Sequence, residues 1–192
     1  MHLTGKVHGH GDGIAVSDRS AEKLLTIITV VYNGAEDLRR TIESVKLQHR
    51  NNLEYIVIDG GSTDGTVAVI HSYRDVVDCW RSEPDSGIYD AMNKGIALSI
   101  GKYLLFLNAG DELVVNLADI EGALSGDQVL VYGKANMLEK DRRVVYVKGK
   151  RLKSPRKLLS GTPLCHQAIF YRRDLIGGYD LEYPIMADRV LT

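Results

Sequence analysis

The stretch LLTIITVVYN (24–33) constrains this chain more than any other. It is an unbroken apolar run rich in β-branched residues, the pattern of a strand buried on both faces. A second such run, LEYIVIDGG, begins at Leu53. Between them Leu38, Ile42 and Val45 recur at helical spacing, with Glu and Arg turned outward. A strand covered on both faces needs a layer on each side. Strand–helix alternation with short connections therefore predicts an α/β domain with a mainly parallel central sheet flanked by helices.

The alternation continues. TVAVIHSY (66–73) reads as a short helix and DCWRSE (78–83) as a third strand. GIYDAMNKGIALSIG (87–101) reads as a helix ending at Gly101, a natural C-cap, and KYLLFLN (102–108) as a fourth strand. Beyond Leu113 the pattern loosens. QVLVYGKANML (128–138) and RRVVYVKGK (142–150) read as two strands joined by a turn, and CHQAIFYRRDL (165–175) as a strand running into a turn. Residues 1–23 are rich in Gly, His and charge without periodicity, and are expected to form a flexible leader. His2, His8 and His10 in it are read as part of a solvated tail.

Several function classes are disfavoured. A formal net charge of −1 supplies no global field for nucleic acid. Two cysteines are too few for a disulfide framework or a Cys-based zinc site. No apolar run approaches the roughly 20 residues of a membrane span, and residues 1–23 lack the apolar core of a signal peptide. These features set the expectation of a cytoplasmic protein. The first strand is followed by VVYNGAED, neither G-x-G-x-x-G nor a P-loop, so both common phosphate cradles are absent.

Parallel sheets bind ligands beyond the carboxyl ends of their strands. Those ends are Tyr32-Asn33, Asp59-Gly60-Gly61-Ser62, Glu83-Pro84-Asp85 and Asn108-Ala109-Gly110-Asp111, and three of the four carry a carboxylate. Asp59 emerges where a ligand would lie. Ser62, Asp64 and Thr66 build a turn, with Ser62 a cap for the next helix. Asn108 and Asp111 match the need of Mg²⁺ or Mn²⁺ for a few oxygen ligands, and equally the composition of a simple turn. His166, among apolar residues, reads as a core histidine. Lys148, Lys150, Arg151, Lys153, Arg156 and Lys157 form a basic cluster, read as a solvated loop or a surface for anionic lipid.

Taken together and in order, TVVYNG, VIDGGSTDGT, SEPDSGIYDAMNKGIA and YLLFLNAGDEL resemble the family 2 glycosyltransferases of GT-A fold, in the branch that builds bacterial surface and capsular polysaccharides. The resemblance covers residues 24–113 strongly and continues more loosely to Asp188. It implies a single GT-A-like domain over 24–192, with a nucleotide-sugar-binding half (24–113) and a partial acceptor-binding half (114–192). It implies an inverting, metal-dependent transfer from a nucleoside-diphosphate sugar to a hydroxyl of a glycan or lipid-linked acceptor, at the inner face of the cell membrane.

By motif position, Tyr32, Asn33, Asp59, Asp85, Gly87, Asn93 and Asn108 would serve the donor. The free N–H groups at the helix start around Ser86-Gly87 would suit its diphosphate, and Asp90 would support that helix start. Asp111 would bind the divalent cation, Mn²⁺ or Mg²⁺. Asp188 would be the general base. Many members carry two consecutive acids where this chain has Asp59-Gly60, the second of which reads a uracil base. Family members also run past the residue matching Asp188, so the chain is expected to be C-terminally truncated. A non-catalytic nucleotide-sugar-binding fragment is the alternative reading. A sugar-phosphate nucleotidyltransferase is disfavoured, because no Gly-rich basic loop follows the first strand.

Overall fold

β2 (Leu25–Val31) and β3 (Leu53–Asp59), the two apolar runs, pair in parallel from Leu25 opposite Leu53 to Val31 opposite Asp59. Both are buried at every position. The computed structural model describes residues 12–14, 22–48, 51–126, 128–138, 144–148 and 165–182. Its further elements, in chain order around those two strands, are β1 (Asp12–Ile14), α1 (Ala35–Lys46), α2 (Thr66–Ser72), β4 (Cys79–Ser82), α3 (Ile88–Leu98), β5 (Tyr103–Phe106), α4 (Leu117–Leu124), β6 (Leu130–Tyr132), β7 (Ala135–Leu138), β8 (Val144–Lys148) and β9 (Ile169–Arg172).

The main sheet runs β1-β4-β3-β2-β5-β9-β6. Its four central strands are parallel, while β1, β9 and β6 join antiparallel. Parallelism is thus confined to the strands joined by helical crossovers, which carry the site.

Period-2 alternation sends the central strands into two cores. Leu25, Ile27 and Val31 face Leu38, Ile42 and Val45 of α1 and Val69 and Ile70 of α2. Ile28 and Val30 face Ala91 and Met92 of α3, with Phe106 and Tyr179. Each buried Leu or Ile side chain contributes about 1.5–3 kcal/mol. α3 lies hard against β2. A Cβ on Gly95 would meet Ile28 Cγ2 at 2.4 Å, so glycine sets that helix–sheet distance.

Four readings change. Asp12–Ile14, expected within a flexible leader, adds an edge strand to β4. The QVLVYGKANML run divides between Tyr132 and Ala135, so that β6 joins the main sheet while β7 pairs with β8 in a separate ribbon. α4, absent from the sequence reading, is capped by Asn116, whose Oδ1 accepts from the Ala118 amide at 3.0 Å. α3 ends at Leu98 rather than at Gly101. Gly101 answers a different need, because a Cβ there would meet the Thr26 amide nitrogen at 2.5 Å. Among the described residues no helix is long and apolar enough to cross a membrane.

Candidate functional site

The loops leaving β2 and β3 are stitched to each other. Asn33 adopts φ 48°, a left-handed conformation that Asn tolerates better than most residues. That turn lets its amide donate to Ser62 Oγ at 2.7 Å, while its own Oδ1 accepts from the Thr63 amide at 2.8 Å. The start of α1 is closed in the same way: the Gly34 amide donates to Thr66 Oγ1 at 3.1 Å and the Ala35 amide to Asp64 Oδ2 at 3.2 Å. Asp64 also accepts from the amide and hydroxyl of Thr66, while the N-cap of α2 is Gly65 and not Ser62.

Asp59, at the end of β3, has no accessible surface. Oδ1 accepts from the Ser62 hydroxyl, and Oδ2 from the Ser62 amide at 3.1 Å and the Ser82 hydroxyl at 2.6 Å. Its placement is that of a tie between the ends of β3 and β4. The exposed side chain here is Tyr32, 68% accessible. Tyr32, Gly60 and Asp85 converge, since a Cβ on Gly60 would lie 2.6 Å from Asp85 Oδ2 and 3.4 Å from Tyr32 Cδ2.

The start of α3 carries a correction. The amides around Ser86-Gly87, just before its first residue Ile88, were expected to be free for a diphosphate. Instead the Gly87 amide donates to Asp85 Oδ1 at 2.9 Å and the Ser86 amide to Asp90 Oδ2 at 3.0 Å. Two carboxylates now stand where an anion was expected, and like charge disfavours phosphate there. Asp90 supports the helix start as expected. Lys94, one turn on, lies 3.4 Å from Asp90 and 3.0 Å from Glu83, fixing the strand exit to the helix.

The remaining exit is a tight turn. The Asp111 amide donates to Asn108 O at 3.0 Å, and Gly110 takes φ 97° at the third position. A type II turn requires that conformation, which glycine adopts without strain. The turn also binds to α1. Thr41 Oγ1 donates to Asp111 O at 2.7 Å and accepts from the Gly110 amide at 3.0 Å. Two side-chain features then stand out. Asn108 Oδ1 is buried and has no hydrogen-bond partner, and burial raises the Asp111 carboxyl above the ordinary carboxylate range. A buried acceptor without a donor costs about 1–3 kcal/mol, so both groups are poised for a positive or hydrogen-donating ligand.

Asn93 was expected on the donor. Both ends of its amide are instead used on the backbone of Tyr179: Nδ2 donates to Tyr179 O at 2.9 Å, and Oδ1 accepts from the Tyr179 amide at 2.7 Å. His166 bonds the Tyr179 hydroxyl and stacks on Phe106 at 5.3 Å between ring centroids, a partnered histidine at the edge of the core. Asp188, the leader histidines and the basic residues from Lys150 to Lys157 lie outside the described residues.

With this geometry in place, the comparisons decide the family. The profile of glycosyl transferase family 2 matches residues 26–176.

The chain belongs to glycosyl transferase family 2.

The family assignment agrees with an uncharacterized glycosyltransferase of Mycobacterium tuberculosis, 39% identical over 176 residues, which covers 86% of this chain and 66% of that protein. The chain thus spans just under two thirds of that relative. The fold is of GT-A type. TarS from S. aureus in complex with UDP superposes with a TM-score of 0.69 at 19% identity, covering 86% of this chain and 53% of that one. The glucosyl-3-phosphoglycerate synthase of M. tuberculosis, in complex with Mn²⁺, UDP and glucosyl-3-phosphoglycerate, superposes with a TM-score of 0.56 at 16% identity, covering 82% and 59%.

In this family 2 chain, the residues present fit a divalent cation. Among the described residues no cluster of three or more His, Cys, Asp and Glu could hold a metal. Mg²⁺ and Mn²⁺ do not require one, because they keep water and phosphate oxygens and take one or two protein ligands. Asp111 and the unpartnered Asn108 Oδ1 supply oxygens of that kind. Sequence reasoning missed Ser82 and Thr41. Ser82 carried no signal, since its partner Asp59 is distant in sequence. Thr41 did carry one: it is a polar residue within the apolar face Leu38, Ile42 and Val45.

Proposed function

We propose that this chain forms the donor-binding part of an inverting glycosyltransferase. It would move a sugar from a nucleoside diphosphate to a hydroxyl of a glycan or lipid-linked acceptor. The observation that carries this reading is the turn Asn108–Asp111, in which a buried acceptor without a partner stands two residues from a fixed glycine and three from a desolvated carboxylate.

Each side chain then has a distinct task. Tyr32 offers its exposed ring to the base. Asp85, beside it, accepts an N–H or O–H of the nucleoside. Gly87 allows the backbone to pass close to the ligand, with open space where a Cβ would stand. Asp59 and Asn33 act indirectly, by holding Ser62, Ser82 and Thr63 in place. Asp111, with Asn108, holds a divalent cation, Mn²⁺ or Mg²⁺. When bound there, the cation would supply positive charge against the departing diphosphate. The carboxylates around Asp85 repel the phosphates and so orient the donor, nucleoside toward Tyr32 and diphosphate toward Asp111. Asp188, from its motif position, takes the proton of the attacking hydroxyl.

UDP in TarS and UDP with Mn²⁺ in the synthase make UDP the first ligand to try. We also place the acceptor side at a membrane surface. Leu138, Val144 and Val147 are exposed on the β7–β8 ribbon, and the sequence from Arg142 to Lys157 holds eight basic residues and no acid.

The test is thermal unfolding with UDP, GDP and their sugars, with and without Mn²⁺. Ligand at 100 times its Kd adds about 2.7 kcal/mol, and each kcal/mol shifts Tm by about 2–4 °C at this size. A rise of that order that needs Mn²⁺ is expected for one nucleotide. No shift with any nucleotide sugar overturns the reading.

A further inference from the structure

We propose that α1 sets the position of Asp111 through a row of polar side chains, with Thr41 as the positioning residue. The inference rests on the reading of Asp111 as the cation-facing group.

After β5 the chain runs from Leu107 to Asn116 with no strand or helix of its own. Backbone groups in such a segment need partners when they leave water. They find them on one face of a helix distant in sequence. Thr41 and Ser44 are spaced i and i+3 along α1, and Gln48 follows in the turn just past its end. Thr41 Oγ1 accepts from the Gly110 amide at 3.0 Å and donates to Asp111 O at 2.7 Å. Ser44 Oγ accepts from the Leu113 amide at 3.0 Å and donates to Thr41 O at 2.7 Å. Gln48 Oε1 accepts from the Leu117 amide at 3.1 Å.

Asp111 is therefore held from both sides. Its amide is fixed within the turn by Asn108 O, and its carbonyl by Thr41. Thr41 has no accessible surface, so water cannot replace the hydroxyl. A methyl in its place would fit the space and make neither bond. Function sites tolerate displacements of only about 0.5 Å, so a loosened carbonyl at Asp111 is felt by its carboxylate. Beside this row, Leu38, Ile42 and Val45 are buried and apolar and pack α1 against the sheet.

The experiment measures Mn²⁺ affinity in the presence of saturating UDP, by calorimetry and by the spin-resonance signal of free Mn²⁺. The variants are Thr41→Val, Thr41→Ser, Ser44→Ala and, as control, Thr26→Val. Thr26 is also fully buried, donates to Glu54 Oε2 at 2.6 Å and accepts from the Gly101 amide at 2.9 Å, at the opposite end of β2. It reproduces the loss of a buried hydroxyl without touching the turn. Thr41→Val should weaken Mn²⁺ about 10-fold or more, the equivalent of about 1.4 kcal/mol. Thr41→Ser should restore it to within about threefold, and Thr26→Val should lower Tm while leaving Mn²⁺ affinity within about twofold. Ser44→Ala should weaken Mn²⁺ by about threefold, and it decides the matter if Thr41→Val does not fold. Parental Mn²⁺ affinity in Thr41→Val, or in Ser44→Ala where that variant decides, overturns the proposal alone. Absence of Mn²⁺-dependent UDP binding in the parent chain overturns the proposed function and this inference with it.

Discussion

The carboxylate of Asp85 stands over Gly60: a Cβ built on Gly60 would lie 2.6 Å from Asp85 Oδ2. The two residues come from different loops, and the space that a side chain at 60 would fill is taken by an acid from 25 positions later. Oδ1 of Asp85 is used on the Gly87 amide, and Oδ2 faces the Tyr32 side. Gly60→Ala should therefore push Asp85 out of place, and Asp85→Ala should remove it. A hydrogen bond to a charged group contributes about 1.5–3 kcal/mol, so UDP affinity should fall about 10-fold or more in both. Calorimetric affinities within twofold of the parent would rule Asp85 out as a nucleoside contact.

Asp111→Asn keeps the size of the side chain and the backbone bonds of the turn, which do not involve the carboxylate. The fold should persist, with an unchanged far-ultraviolet dichroism spectrum and a Tm at or slightly above that of the parent, because burial disfavours the charge. The Mn²⁺-dependent part of UDP affinity should vanish. Equal enhancement by Mn²⁺ in variant and parent would remove Asp111 from the cation site.

Asn93→Ala separates holding from binding. Asn93 clamps both backbone groups of Tyr179, so its loss removes two part-buried hydrogen bonds. A cost of about 1–3 kcal/mol is expected, or a Tm fall of roughly 2–12 °C. UDP affinity at a temperature where the variant is folded should change by less than about threefold. A loss of affinity without a loss of Tm would return Asn93 to the donor.

The β3–α2 loop gives a pH dependence. The Thr66 hydroxyl, chiefly, holds the Asp64 carboxyl below its ordinary value; desolvation opposes it, and the Ala35, Thr66 and Asp64 amides add to the lowering. A carboxyl lowered on folding contributes stability above its unfolded pKa and loses it as pH falls through the folded value. The parent should be more stable than Asp64→Asn at neutral pH, and the gap in Tm should close on acidification below the unfolded carboxylate pKa of about 3.9. A gap that stays constant from neutral pH to pH 3 would show that the Asp64 charge does not matter.

The basic segment and the exposed face of the β7–β8 ribbon predict adsorption to anionic lipid. Each basic residue near such a surface contributes about 1 kcal/mol. The chain should float with vesicles containing phosphatidylglycerol and not with phosphatidylcholine alone, and Leu138→Asp with Val144→Asp should abolish flotation. No flotation with either vesicle at low salt would leave a solvated loop.

Much of this protein was legible in one dimension. The runs 24–33 and 53–61 could only be strands covered on both faces, and the helical spacing of Leu38, Ile42 and Val45 assigned a cover to one of them. The four polar strand exits marked where a site was expected, because ligand loops of a parallel sheet lie at the carboxyl ends. What each exit residue does was decided by tertiary structure. Asp59 and Asn93 have the chemistry of ligand contacts, yet their hydrogen-bonding groups meet Ser62, Ser82 and Tyr179 before any donor arrives. The approach to α3 has the sequence of an anion cradle, yet Asp85 and Asp90 fold back onto the Gly87 and Ser86 amides. Thr41 sits 69 positions from the Gly110 amide that it accepts from, and no local pattern joins them. A sequence shows which groups can bond. Only the packed chain determines which of them are already bonded, because a buried donor or acceptor takes the partner that the fold brings within about 3 Å.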